Sequence, residues 1–431
     1  MSPLLAPLFA QLVSLQLGDR TEGRYTVYNG DKRYEASSAP VVALVVSSRK
    51  TNFQLVYSPS LVMSPVERAP RELYVFHQIG ASVGYTLKRT TITAGSTFAI
   101  GSMNLKLIGL QGLQTPIATG APAVPSPNAP TNGTPTTPDT PTTGTGTPTN
   151  GMQQPGTTTG NPLTQQPAID QKVKFYVSTN TLGVTQLLTK NLRLGVIGSS
   201  SIANGMNDAS RRVYPELRGW SLGANTGYLY LLSRQDSFNG TASFIKTWSS
   251  LDNEAAALNL SVTWTHRFGP MTSGSAGTGF SVTRFSQQDG LAGFSVFPTF
   301  TVGATHRVPV GRGGLAFSIA AYSNPALDPL RALIDPRIGM NANIVYSRKK
   351  LTLSTSGGVA FSLAPEATKG TSVNSLQAEA RASYAIATVA TVDTGARISR
   401  QTYGTEDVIP TSWAAFVGVT LGYRKILAGG R

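Results

Sequence analysis

The 431-residue chain contains no cysteine, so disulfides, thiolate metal sites and thiol nucleophiles are all excluded. Histidine is scarce, with three residues. Charged residues make up 13% of the chain, about half of the ~25% usual in soluble domains. No stretch approaches the ~18 uninterrupted apolar residues of a membrane-spanning helix. Acidic residues are few as well: 21 against 36 basic ones, a formal net charge of +15. Such an excess suits nucleic acid, anionic lipid or lipopolysaccharide, an anion-favouring pore, or simply a basic surface. No metal-ligand cluster, phosphate loop, nucleophile elbow or nucleotide fingerprint is present, which removes the common routes to a cofactor, a metal or covalent catalysis. Basic and aromatic residues do not combine into a recognisable nucleic-acid module.

What the chain has in abundance is glycine, with 44 residues, together with serine and threonine, arranged with a period of two. In "LTLSTSGGVAFSL" the odd positions Leu351, Leu353, Val359, Phe361 and Leu363 oppose Thr352, Ser354, Ser356 and Ser362. This is the pattern of a β-strand with one bulky apolar face and one small polar face. The same alternation places Trp220 and Leu222 opposite Ser221 and Gly223, and Leu260 and Trp264 opposite Ser261 and Thr263. It also sets Phe300 and Val302 opposite Thr299 and Thr301, and Val417 and Val419 opposite Gly418 and Thr420. About 18 such stretches occur; the first spans 22–29, the eleventh 279–287 and the last 411–425. Most exceed the mode of ~5–6 residues in globular sheets and reach the ~9–11 of a tilted transmembrane strand.

The connections alternate between short ("SRKT", "KRT", "RKK") and long ("VERAPREL", "ANGMNDASRRVYPEL", "APEATKGT"). The twelve-residue "FGPMTSGSAGTG" is too long for its place among the short ones. Trp413 and Tyr423 share an apolar face ten residues apart. That separation is roughly 33 Å along a strand and roughly 23 Å in height at a ~45° tilt, close to a ~25 Å lipid-facing band between aromatic girdles. Trp220 and Trp264 are further candidates for the girdles. These features predict an all-β fold, a transmembrane antiparallel β-barrel of about 18 strands. Its short turns would be periplasmic and its long loops would lie outside.

Three segments stand apart. Residues 1–10 are apolar, with no Lys or Arg before Arg20, and read as a remnant of a signal peptide, leaving 11–431 as a single barrel. Residues 103–171 hold "PNAPTNGTPTTPDTPTTGTGTPTNG", a Thr/Pro/Gly-rich insert in a long outer loop whose composition predicts disorder. Residues 328–334, between prolines, have room for a turn or two of helix.

The polar parity carries the charges Arg193, Arg267, Arg307, Glu379, Arg381, Asp393 and Arg397, the pore-lining candidates. Five basic against two acidic residues predict a positive lumen favouring anions or an acidic polymer, unless Arg193, Arg267 and Arg307 lie at strand ends outside it. His266 and His306 recur in matching Thr-His-Arg triplets and read as interface anchors at the periplasmic rim.

The last strand carries Gly418 followed by Leu421 and Tyr423, and with it the chain resembles the bacterial outer-membrane β-barrels, whose final strand ends on a similar assembly signal. Phe416, where a polar residue is usual, and the trailing "RKILAGGR" depart from that pattern. The resemblance implies residence in a Gram-negative outer membrane, in contact with lipid and lipopolysaccharide and assembled by the barrel-assembly machinery. It implies transport without catalysis and without a cofactor. "LGDRTEGRY" and "NFQLVYSPSLVM" are similar to the barrels that partner Wza-type polysaccharide-export proteins. That likeness implies an exopolysaccharide conduit working with a periplasmic export protein. A general diffusion porin with anion preference, and a surface adhesin or scaffold anchored by a barrel, are the alternatives.

Overall fold

The computed structural model describes residues 12–28, 31–64, 72–104, 172–213, 216–229, 235–286, 292–328, 333–363, 373–403 and 411–428. The predicted leader and nearly all of the Thr/Pro-rich insert fall outside them. From the amino terminus the strands are β1 (Leu12–Tyr28), β2 (Asp31–Ser38), β3 (Val41–Ser47), β4 (Thr51–Ser64), β5 (Glu72–Thr86) and β6 (Thr90–Asn104). After the insert come β7 (Lys172–Leu187), β8 (Leu192–Gly205), helix α1 (Asp208–Val213), β9 (Leu217–Leu229), β10 (Asp236–Ser249), β11 (Glu254–Arg267) and β12 (Thr272–Ser286). The carboxyl-terminal part holds β13 (Ala292–Val310), β14 (Gly313–Asp328), β15 (Leu333–Arg348), β16 (Leu351–Ser362), β17 (Val373–Ala387), β18 (Ala390–Tyr403) and β19 (Thr411–Ala428).

All strand pairings are antiparallel, most of them between neighbours in sequence, and β1 pairs with β19 from Val13↔Ala428 to Tyr28↔Ser412. This pairing closes the sheet, so no edge remains. β1 pairs with β2 through Thr21↔Ser38 and with β3 through Gly18↔Val41, in one unbroken register. Between them Arg20 and Ala39 exchange backbone hydrogen bonds, and Pro40, which has no N–H, interrupts the ladder. β2 and β3 are therefore two halves of one wall strand, and the wall has the 18 strands that the alternation predicts.

Three expectations need correction. β1 begins at Leu12, ten residues before the predicted start, because "LQLGDRTEGR" keeps its parity despite its charges. β12 begins at Thr272, so "TSGSAGTG" is strand and the long connection shrinks to the turn 268–271. Glycine and serine on both parities had concealed it. Of residues 328–334, the described ones are strand rather than helix: Asp328 pairs with Leu333 and Leu327 with Ile334, in a ladder that includes Pro325↔Pro336, while 329–332 lie outside the described residues. The short helix among the described residues is α1, in the connection between β8 and β9.

The two faces of the wall differ as predicted. Along β13 exposed and half-buried residues alternate, with Phe294, Val296, Phe300 and Val302 on the open side. The same parity carries round the barrel through the cross-strand pairs Val392↔Val419 and Ile398↔Trp413. Aromatic residues collect at the two ends of this apolar face. Trp413 stacks edge-on against Tyr25, 5.2 Å between centroids, and Trp220 leans on Phe244 at 5.0 Å, both at the long-loop end. Tyr423, Trp264, Tyr85 and Tyr384 lie toward the short-turn end. The strands run between two girdles, as in a lipid-spanning barrel. Both Leu12 and Ala428 lie at the short-turn end, with the turns 48–50, 87–89, 188–191, 268–271, 311–312, 349–350 and 388–389.

Candidate pore and its two mouths

The inner wall is built from the small polar parity. Register brings hydroxyls together across neighbouring strands: Ser199 with Ser221 at 2.7 Å, Thr241 with Ser261 at 2.6 Å, and Ser273 with Thr305 at 2.7 Å. Thr97↔Thr179 and Thr91↔Thr185 extend these rows, and Asn225, Asn239 and Asn343 supply amides on the same face. Eighteen strands ~4.8 Å apart and tilted ~40° close on a circle of about 18 Å radius at Cα, the size class that encloses an aqueous channel. Hydroxyls and amides both donate and accept, so this surface can exchange hydrogen bonds with water or with a polyhydroxylated solute.

Charge on the inner wall gathers where the barrel closes. Glu379, Arg381, Asp393 and Arg397, predicted to line the pore, do meet on β17 and β18. Arg397 pairs with Glu379 (Nε–Oε2 2.8 Å), and Arg381 pairs with Asp393 (Nη2–Oδ2 2.9 Å). Asp393 also accepts hydrogen bonds from Ser383 (2.5 Å) and Thr420 (3.4 Å). One step across the closure lie four charges that sequence reasoning missed. Glu22, on β1, takes Arg20 at 2.9 Å and Arg24 at 2.7 Å. Glu35 stands directly opposite Arg24 in the register and is buried. Among the described side chains four arginines thus face four carboxylates, and their charges balance. The parity of Arg20, Glu22 and Arg24 was the available signal, obscured because so polar a run reads as a loop.

The expectation of a positive lumen therefore needs revision. Arg193 is the second residue of β8, Arg267 the last of β11, and Arg307 lies three residues before the end of β13. All three keep the inward parity, opposite Gly227, Ser273 and Ala316, and all three stand at the short-turn mouth rather than along the shaft. The turns beside them are also basic and exposed, carrying Lys50, Arg89, Lys190, Arg312 and Lys349. Among the described residues, the sole carboxylate within two positions of a short turn is Asp236. It accepts hydrogen bonds from Trp264 Nε1 at 2.7 Å and contacts His266 Nδ1 at 2.8 Å. His266 and Trp264 lie on the outward face, and His306 contacts Thr272 Oγ1 at 2.8 Å. Both triplets thus sit at the short-turn rim, as predicted.

At the other mouth, α1 lies against the inner wall. Asn207 caps it, accepting from the Ser210 amide at 2.7 Å. The Lys174 amide donates to Ser210 Oγ at 3.0 Å, tying the helix to β7. Gly205, on the inward parity opposite Phe175, makes this contact possible: a Cβ there would stand 2.6 Å from the Arg211 nitrogen. Phe175 is sealed in the wall, 1% exposed.

Glycine–aromatic pairs recur on the inner wall. Phe76 faces Gly101, Phe285 faces Gly293, Tyr322 faces Gly339, and Phe416 faces Gly395. In the last pair a Cβ on Gly395 would lie 2.6 Å from Phe416 Cζ, so the ring covers the glycine's strand. This explains why an aromatic residue occupies the polar parity at 416. Within the assembly motif, Gly418 faces inward opposite Asp393 and Glu22, while Leu421 and Tyr423 are on the outward face.

The sequence matches the EpsX exopolysaccharide export family over residues 136–427. No curated protein matches it. Among solved structures, the apoprotein form of the FrpB iron transporter from Neisseria meningitidis (F5-1 variant) is similar at a TM-score of 0.51 and 9% identity. That likeness covers 91% of this chain and 62% of that one, and extends to the fold. OccK7 (OpdD) from Pseudomonas aeruginosa has a TM-score of 0.47 at 10% identity, covering 96% of this chain and 99% of that one.

Proposed function

The chain belongs to the EpsX exopolysaccharide export family, and on that premise we propose that it is an outer-membrane conduit through which an exopolysaccharide leaves the cell. One observation carries the reading: a closed 18-strand wall with an apolar, aromatic-girdled outside and an inside of hydroxyls and amides. Such a lining replaces the water around a sugar polymer with many weak contacts and no deep trap, which conduction requires. The short turns face the periplasm, and a periplasmic export protein delivers the polymer to that mouth. The task is translocation and needs no covalent chemistry. The test is deletion of the gene in a polymer-producing strain. The expected result is loss of surface polymer with retention of polysaccharide inside the outer membrane, restored by the wild-type barrel. Unchanged surface polymer would refute the reading.

A further inference from the structure

The basic excess is distributed by height. We infer that the exported polymer is anionic, a carboxylate-bearing polysaccharide, and that the short-turn mouth is its capture site. The inference deepens the conduit reading and rests on it.

Two tiers of cation form the mouth. The outer tier stands at the turn tips and includes Lys50, Arg89 and Lys349, all exposed. The inner tier is Arg193, Arg267 and Arg307, whose register places them on the lumen side of the wall. Among the described residues neither tier is ion-paired, and Asp236, the carboxylate beside a short turn, is engaged by Trp264 and His266. A docking protein has no use for an inner tier that faces the bore, whereas a polymer entering the bore passes it. Such a one-signed mouth focuses field lines and raises the local concentration of an oppositely charged solute, by ~10–10³ in on-rate.

Beyond the mouth the sign disappears. Among the described residues Arg20, Arg24, Arg381 and Arg397 are each held by a carboxylate, and hydroxyls and amides are frequent along the rest of the shaft. The long-loop end mixes signs, with Arg218 on Glu216 and Lys246 on Glu254. A polyanion is therefore attracted at one end, meets no free cation among the described residues of the shaft, and is not drawn back from the far end. The arrangement favours one direction of entrance and a smooth passage.

The experiment uses the full chain inserted from one side of a planar bilayer, with current block by oligogalacturonate compared with block by maltodextrin of equal length. Oligogalacturonate added at the short-turn side is expected to block with an on-rate at least tenfold above that from the long-loop side at low salt. Maltodextrin is expected to block without that asymmetry. The combined R193Q/R267Q/R307Q variant should lose the preference, and R193K/R267K/R307K should keep it, provided that both show wild-type heat-modifiable migration. A conducting barrel that maltodextrin blocks, but that shows no side preference for the anionic oligomer, would overturn the inference and leave the conduit standing. So would a preference that survives in R193Q/R267Q/R307Q and vanishes in K50Q/R89Q/K349Q, which would assign the rim to an acidic protein surface. A barrel that passes no current would overturn both.

Discussion

Asp393→Asn isolates the charge balance of the closure seam. The Asp393 side chain is 3% exposed and holds Arg381, itself 20% exposed, at 2.9 Å. Orphaning one partner of a fully buried pair costs 3–5 kcal/mol. Two features here reduce that figure: the wet lumen lies on one side of Arg381, and Asn still accepts from Ser383. The expected loss is about 2 kcal/mol, in the range of a hydrogen bond to a charged group. It should persist at high salt, because buried pairs are little screened. Urea unfolding in lipid vesicles, followed by tryptophan fluorescence, measures it. A cycle with Arg381→Gln should give a coupling of at least ~1 kcal/mol, since the residues share one network. Removing the carboxylate also leaves the shaft with one uncompensated positive charge, so the zero-current potential in a KCl gradient should move toward chloride. A stability loss below ~0.5 kcal/mol with an unchanged potential would refute the claim that this pair neutralises the seam.

Phe416→Ala removes a buried ring from the inner wall and should cost about 3 kcal/mol, read by the same unfolding assay; Gly395→Val should cost at least as much, because its side chain meets that ring. Val417→Arg, at an outward position 58% exposed to the lipid side, should destabilise the inserted barrel by about 2–4 kcal/mol if it lies near the bilayer midplane. Ser356→Arg, on the inward face of β16 opposite Glu379, would carry no such lipid penalty, and heat-modifiable migration in the two variants would separate the faces. Shortening the 105–171 connection about eightfold should stabilise the β6–β7 hairpin by about 2 kcal/mol, from loop-closure entropy alone. A loss of stability in that variant would show that the insert contributes contacts to the barrel.

Most of the wall was legible because a lipid-facing barrel imposes one rule on every strand, and β16 shows it plainly, with Leu353 and Phe361 exposed on its outer face. The rule weakens where one face loses its bulk. The first half of β12, "TSGSAG", has small residues on both parities, so alternation alone does not mark it as strand; Thr263 and Thr301 crowd Gly277 from either side and hold its register. A rule of faces also cannot say which strands meet at the closure. Arg20 lies opposite Thr420, four hundred positions away, so only the β1–β19 register brings Glu22 and Asp393 to the two sides of Gly418. Phe416 looked like a departure from a motif, and only the neighbouring strand supplied Gly395 as its reason.

The position of the charges at the closure has a consequence for assembly. Every other junction is a hairpin, whose short turn or ladder sets its register, but β1 and β19 must find each other without a connection. A slip of one residue would turn Arg20, Glu22 and Arg24 out toward lipid and Leu15 and Leu17 into the lumen. With two arginines at up to 2–4 kcal/mol each, depending on depth, that register is disfavoured by several kcal/mol. A slip of two residues preserves the faces but brings Glu22 opposite Phe416 or Thr420 instead of Gly418, whose missing side chain leaves room beside the carboxylate. The polar pattern excludes odd slips and Gly418 excludes the even ones. The charges that a conduit must neutralise along its shaft are therefore placed where they also specify how the barrel closes.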